Sequence, residues 1–178
     1  MTAVAFREMQ ARRTRGRATP SGGATKPRRP VDPGPASEPD ALELPPLLVG
    51  LAGVGRVWTL LMPYSELLTS NQRLHHMAVH RIRKRLRADA AAVARAQLVP
   101  GLDRAAVFYA LHPRPINRKR DPGNWAPSAK AYVDGFVDAG VLPDDDHVHL
   151  LGPNPVMGPP VASGAARMSL VIAELPPL

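Results

Sequence analysis

With 178 residues the chain is about the size of one domain, and a net charge of +8 with an isoelectric point near 10.8 makes it strongly basic. It has no cysteine, which excludes disulfides and thiolate zinc sites and leaves oxygen or imidazole ligands for any metal. The Arg-rich N-terminus lacks the apolar stretch of a secretory signal and the longest apolar run, Leu47 to Gly55, is too short to span a bilayer, so a cytoplasmic protein without membrane contact is expected.

In chain order, residues 1–45 carry Arg12, Arg13, Arg15, Arg17, Arg28 and Arg29 among Pro, Gly, Ser and Ala, with little to bury. They read as a disordered basic tail, either simply solvated or an electrostatic tether, with room for a short helix at Ala5 to Arg13. Arg56 to Met62 reads as the first strand, ended by Pro63. The glycines at 50, 53 and 55 match neither a dinucleotide-binding nor a Walker loop.

Met77 to Leu98 has no proline or glycine, and Val79, Ile82, Leu86, Ala90 and Val93 recur at steps of three and four, which predicts a helix with one apolar stripe. Arg81, Arg83, Lys84, Arg85 and Arg87 cover its other faces and read either as a solvated surface or as a phosphate-binding one. His76 and His80 stand four apart on it, but no Glu lies between them as in a zinc protease and no third ligand is evident. Arg104 to His112 predicts a second strand, followed at once by Arg114, Arg118, Lys119 and Arg120. A second helix is predicted from Trp125 to Ala139, with Asn124 as N-cap, Pro127 tolerated in the first turn and Gly140 as the stop. Val148 to Leu151 and Met168 to Leu175 predict the last two strands, a closing hairpin around the turn Gly152 to Gly164; His147 and His149 would share one strand face. The expected fold is a single small α+β domain, a mixed sheet of about four strands packed against two main helices.

The charge is unevenly placed. Residues 1–65 hold nine Lys/Arg against five Asp/Glu, residues 66–130 thirteen against four, and residues 131–178 one against six. A basic surface beside an acidic cluster suits a nuclease, where cations hold phosphates and carboxylates hold activating metal ions; a ribosome-associated or merely DNA-binding protein would share the asymmetry.

The stretch from Arg118 to Val148 concentrates the chemistry. Asp121 lies on the loop after a strand, Lys130 and Asp134 are one helical turn apart, and Asp144, Asp145 and Asp146 follow on the loop beyond. Hard oxygen ligands drawn from separate loops suit magnesium, and a neighbouring lysine can offset charge on a phosphate. The same spacing also fits an acidic turn and a surface ion pair.

These residues resemble the RusA family of endodeoxyribonucleases. Asp121, Asn124, Lys130, Asp134, the step Gly140-Val141-Leu142 and the pair Asp144-Asp145 stand in the order of the family's pattern of Asp-x-Asp-Asn, lysine, aspartate and Asp-Asp. Trp58 to Pro63, then Ser70-Asn71-Gln72-Arg73-Leu74-His75 and a basic helix, are similar to its opening strand and Asn-containing loop. The resemblance covers residues 56–175 and makes 46–178 the nuclease domain. It implies a magnesium-dependent homodimer that cuts branched DNA such as Holliday junctions in recombination or repair, with Asp121, Asp145 and Asp144 on the metal and Lys130, Asp121 and Asp145 catalytic. Nucleic-acid contacts are expected from Asn71, Arg73, Arg81, Lys84, Arg118, Lys119 and Arg120.

Two positions depart from the pattern. Gly123 stands where the second aspartate belongs, and Lys130 lies three residues farther from Asn124 than in the compact motif, a spacing similar to that of a subgroup. The first departure keeps open a DNA-binding member of the same fold that has lost efficient cleavage. An unrelated basic nucleic-acid-associated domain is the more distant reading.

Overall fold

The computed structural model describes residues 45–116 and 118–178. The tail read over residues 1–45, and the helix considered within it, lie outside these apart from Pro45.

Sequence periodicity explains the two long helices. In α2, His76–Ala96, Ile82, Leu86 and Ala90 are buried and Val79 and Val93 pack against the same core, so the apolar stripe faces inward. Arg81, Arg83, Lys84, Arg85 and Arg87 are exposed on the remaining surface. Helix α3, Ala126–Asp138, buries Ala129, Tyr132, Val133 and Phe136. It stops at a Schellman turn, in which the Gly140 and Val141 N–H groups donate to the Val137 and Phe136 carbonyls and Gly140 takes a φ of +75°. A single-turn helix, α1, spans Pro46–Val49. No helix among the described residues is long and apolar enough to cross a membrane.

The fold is α+β. Strands β1 (Val57–Leu61), β2 (Ala105–His112), β3 (Leu150–Met157) and β4 (Arg167–Glu174) form one mixed sheet in the order β1-β4-β2-β3. Strand β4 is antiparallel to both β1 and β2, and β3 runs parallel to β2. All eight residues of β2 are buried, because both sheet faces are covered. Leu60, Val107, Tyr109, Leu170 and Ile172 meet α2 and α3 on one face, while Ala106, Phe108, Val171 and Ala173 meet Leu48, Leu51 and Val54 on the other.

The structure corrects the C-terminal reading. β3 and β4 do not pair as a hairpin: β4 inserts between β1 and β2, and the chain from β2 to β3 passes through α3, as a parallel pair requires. The expected turn at Gly152 is strand as far as Met157, despite Pro153 and Pro155. An edge strand accepts proline because one side of its ladder needs no donor. His147 and His149 sit in the turn before β3 and share no strand face.

Candidate functional site

Helix α3 begins in a 3-10 helix, Pro122–Trp125, whose start follows from the sequence Asp-Pro-Gly. Asp121 caps it, its Oδ1 accepting from the Gly123 N–H at 2.9 Å, while Pro122 needs no donor at that position. Asn124 is therefore not the N-cap of α3, because the 3-10 turn has already taken the chain into helical geometry. It serves a different contact, accepting from the Ser70 hydroxyl through Oδ1 at 3.2 Å and from the Ser70 N–H through its carbonyl at 2.9 Å. Buried Ser128, in the first turn of α3, accepts from the Leu68 N–H at 2.7 Å and donates to the Leu68 carbonyl at 2.9 Å. From below, the Tyr109 hydroxyl of β2 donates to the Pro122 carbonyl at 3.1 Å. Burial, then the Asp121 charge, pushes the Tyr109 phenol above its ordinary pKa, so it stays the protonated donor that this contact needs.

These ties bring the loop 69–71 against the chain 118–125 and leave a pocket of about 270 Å³ between them. Asn71, Arg118, Lys119, Arg120 and Asp121, all singled out in the sequence, line it together with Thr69, Asn124 and Trp125. Arg120 is half-buried and its Nε is buried without a partner. Burial lowers its pKa, and repulsion from Arg118 and Arg114 lowers it further. Two further cations beside an unpartnered Arg120 N–H make a cluster that an anion would complete, and a phosphate oxygen would match it in charge and as an acceptor.

The second grouping lies one turn into the same helix. The Lys130 ammonium is 2.8 Å from Asp134 Oδ1 and contacts Asp145 Oδ2, so one exposed cation bridges two partly exposed carboxylates. Asp145 reaches it because the Schellman turn reverses the chain and Val141 and Leu142, both buried, anchor the returning loop. Asp144 accepts from the Asp145 N–H at 2.7 Å. Asp146 takes up the Val148 and His149 N–H groups and faces the His149 ring at 2.8 Å, and these bonds, led by the His149 N–H, hold its carboxyl below the usual range.

The predicted residues thus fall into two groups, the pocket around Asp121 and the Lys130 bridge on α3. Arg81 and Lys84 are on the exposed face of α2 and Arg73 is on the loop before it; none of the three lines the pocket. Among the described residues no three Asp, Glu or His side chains are placed to hold one metal ion. A magnesium ion that keeps most of its waters needs only one or two carboxylates from a protein. Trp125 and Tyr109 were missed in the sequence; an aromatic residue directly after Asn124 in a basic stretch was the available signal for the first, and nothing local pointed to the second. A further cleft of about 280 Å³ on the opposite sheet face is lined by Pro45, Met157, Pro159 and His112, the last already bonded to the Pro159 carbonyl and Ser169. Compared with known protein families and with curated proteins, the chain matches none.

Proposed function

We propose that the protein is a magnesium-dependent endonuclease of branched DNA, similar to the RusA resolvases and acting as a homodimer. The observation that carries this reading is that Asn71, Arg118, Lys119, Arg120 and Asp121, from separate loops, line one basic pocket, while Lys130 bridges Asp134 and Asp145 on the helix that follows. In this reading Arg118, Lys119 and Arg120 take the DNA backbone and fix its register, Arg120 supplying its unpartnered Nε. Lys130 meets the charge that grows on the scissile phosphate, and Asp134 keeps the ammonium aimed. Asp121 and Asp145, with Asp144 adjacent, would hold magnesium, which supplies charge neutralisation and activation of water. Arg73, Arg81 and Lys84 extend the basic surface along α2. Paired nicks across a four-way junction need two sites related by a two-fold axis, hence the dimer.

A second reading, a DNA-binding protein of this fold without efficient cleavage, is favoured by Gly123 and by the lack of a three-carboxylate group among the described residues. A nicking assay on a synthetic four-way junction separates the two. Paired nicks that require magnesium support the nuclease; tight junction binding with no nicks at any magnesium concentration supports the binding protein.

A further inference from the structure

The pocket between the loops 69–71 and 118–121 has one wall that phosphate chemistry does not explain. Trp125 lines it and, on its inner side, packs against the main core, so the ring is held by the fold rather than free on the surface. Arg118, Arg120, Asn71 and Asn124 line the same space of about 270 Å³. A site built only to hold a duplex backbone needs cations and N–H donors and no aromatic wall. This one is recessed and combines a rigid aromatic face, amide groups able to donate and accept, and a cation cluster, which are the three elements that a base, its edge and its phosphate call for. At about 270 Å³ the pocket lies just below the roughly 300–1,000 Å³ of small-molecule sites, room for one small group such as a single nucleotide.

We propose that this pocket receives one unstacked nucleotide of a DNA strand, with its base on Trp125, its base edge toward Asn71 and its phosphate on Arg120 and Arg118. The inference rests on the nucleic-acid reading given above and sharpens it: the ligand is a strand with an unpaired base, as at the centre of a branch, not an intact duplex. The unpartnered Arg120 Nε and the mutual repulsion of the arginines find their counter-charge in that phosphate. Thr69 and Asn71 are positioned for this by the Ser70–Asn124 and Leu68–Ser128 bonds, which fix the opposite wall.

The chain has two tryptophans, and Trp58 lies in β1 beneath Arg56, so Trp58→Phe leaves Trp125 as the only indole fluorophore. This full-length variant, and the parent chain by competition, would be titrated with a short oligothymidylate and with an abasic oligomer of equal phosphate number. The base-bearing strand is expected to quench Trp125 and to bind about five- to 150-fold more tightly than the abasic one, the range for stacking one base on an aromatic ring. Trp125→Leu should erase this preference while keeping the salt dependence, and Trp125→Phe should retain part of it. Equal affinity for the two strands, or equal quenching by both, overturns the proposal and leaves a site for phosphate alone, which a phosphorylated side chain could equally fill. Because the comparison of strands needs no change at Trp125, a misfolded Trp125→Leu does not blur it. A chain that nicks junctions yet does not distinguish the strands refutes the pocket alone; one that prefers the base-bearing strand yet never nicks refutes the nuclease alone.

Discussion

At Gly135 α3 lies close against the backbone of α2, and replacing it with alanine tests the packing that positions Lys130. A Cβ at this position would press into the Arg87 carbonyl and stand 2.9 Å from the Ala90 Cβ. The first obstacle is backbone in the middle of a helix, so relief requires the two helices to separate rather than a side chain to turn. Overpacking of this kind costs about 1–3 kcal/mol, and a rigid backbone neighbour puts the cost at the upper end. Against it stands the gain from replacing glycine with alanine inside a helix, about 1 kcal/mol. The expected net loss is therefore about 1–2 kcal/mol. Urea unfolding should show a lower midpoint at unchanged slope, and thermal unfolding a fall of about 2–4 °C for each kcal/mol. Gly140→Ala is the informative comparison, since a methyl group at Gly140 would meet nothing within 4 Å but would have to adopt a φ of +75°. It should lose about 1–2 kcal/mol by backbone strain alone, with asparagine milder than alanine. If Gly135→Ala were as stable as the parent, or more so, the close approach of α2 and α3 would be wrong.

Asp145→Asn should abolish junction nicking while leaving junction binding intact, since its carboxylate is assigned to the ion and to Lys130; nicking at the parental rate would remove it from the site. Gly123→Asp places a Cβ 3.1 Å from Asp121 Oδ1, which a rotation of that exposed side chain relieves, and should raise nicking or lower the magnesium concentration it needs. DNA affinity should fall linearly with salt on a log–log plot at a slope of about −0.9 per neutralised duplex phosphate, and neutralising Arg118 or Lys119 should flatten that slope by about one unit each. An affinity indifferent to salt would remove the basic loop from the interface. His112 is held neutral, since burial lowers its pKa from 6.5 more than its Pro159 contact raises it. The unfolded chain binds a proton below that value and the folded chain resists it, so stability is greatest above it and declines as pH drops from there through the lowered folded-state value. The carboxylates of Asp138 and of Glu174, the latter held down to about 2 by Arg56, act at lower pH. Urea midpoints should decline over that window in the parent and stay flatter in His112→Gln.

Features written in short-range pattern were legible in the sequence. The stripe from Val79 to Val93, the limits of β2 and the stop at Gly140 each depend on residues a few positions apart, where helical period, β-branching and a left-handed glycine act without any partner. The candidate site was legible in part for the same reason: Lys130 and Asp134 are one turn apart on any helix, and the basic residues 118–120 adjoin Asp121 in the chain. Only the tertiary structure decided what those residues meet. That Asp145 closes on Lys130 depends on how Val141 and Leu142 are buried, and that Asn71, Arg120 and Trp125 line one pocket depends on contacts across tens of residues made by Ser128 and Ser70. Likewise, Pro153 and Pro155 argue locally for a turn, and only the position of β3 at the sheet edge, where no donor is required on the outer side, lets them stand in a strand. Strand order has no local signature at all, because which ladder β4 joins is settled by burying Leu170 and Ile172 on one face and Val171 and Ala173 on the other between two already apolar neighbours.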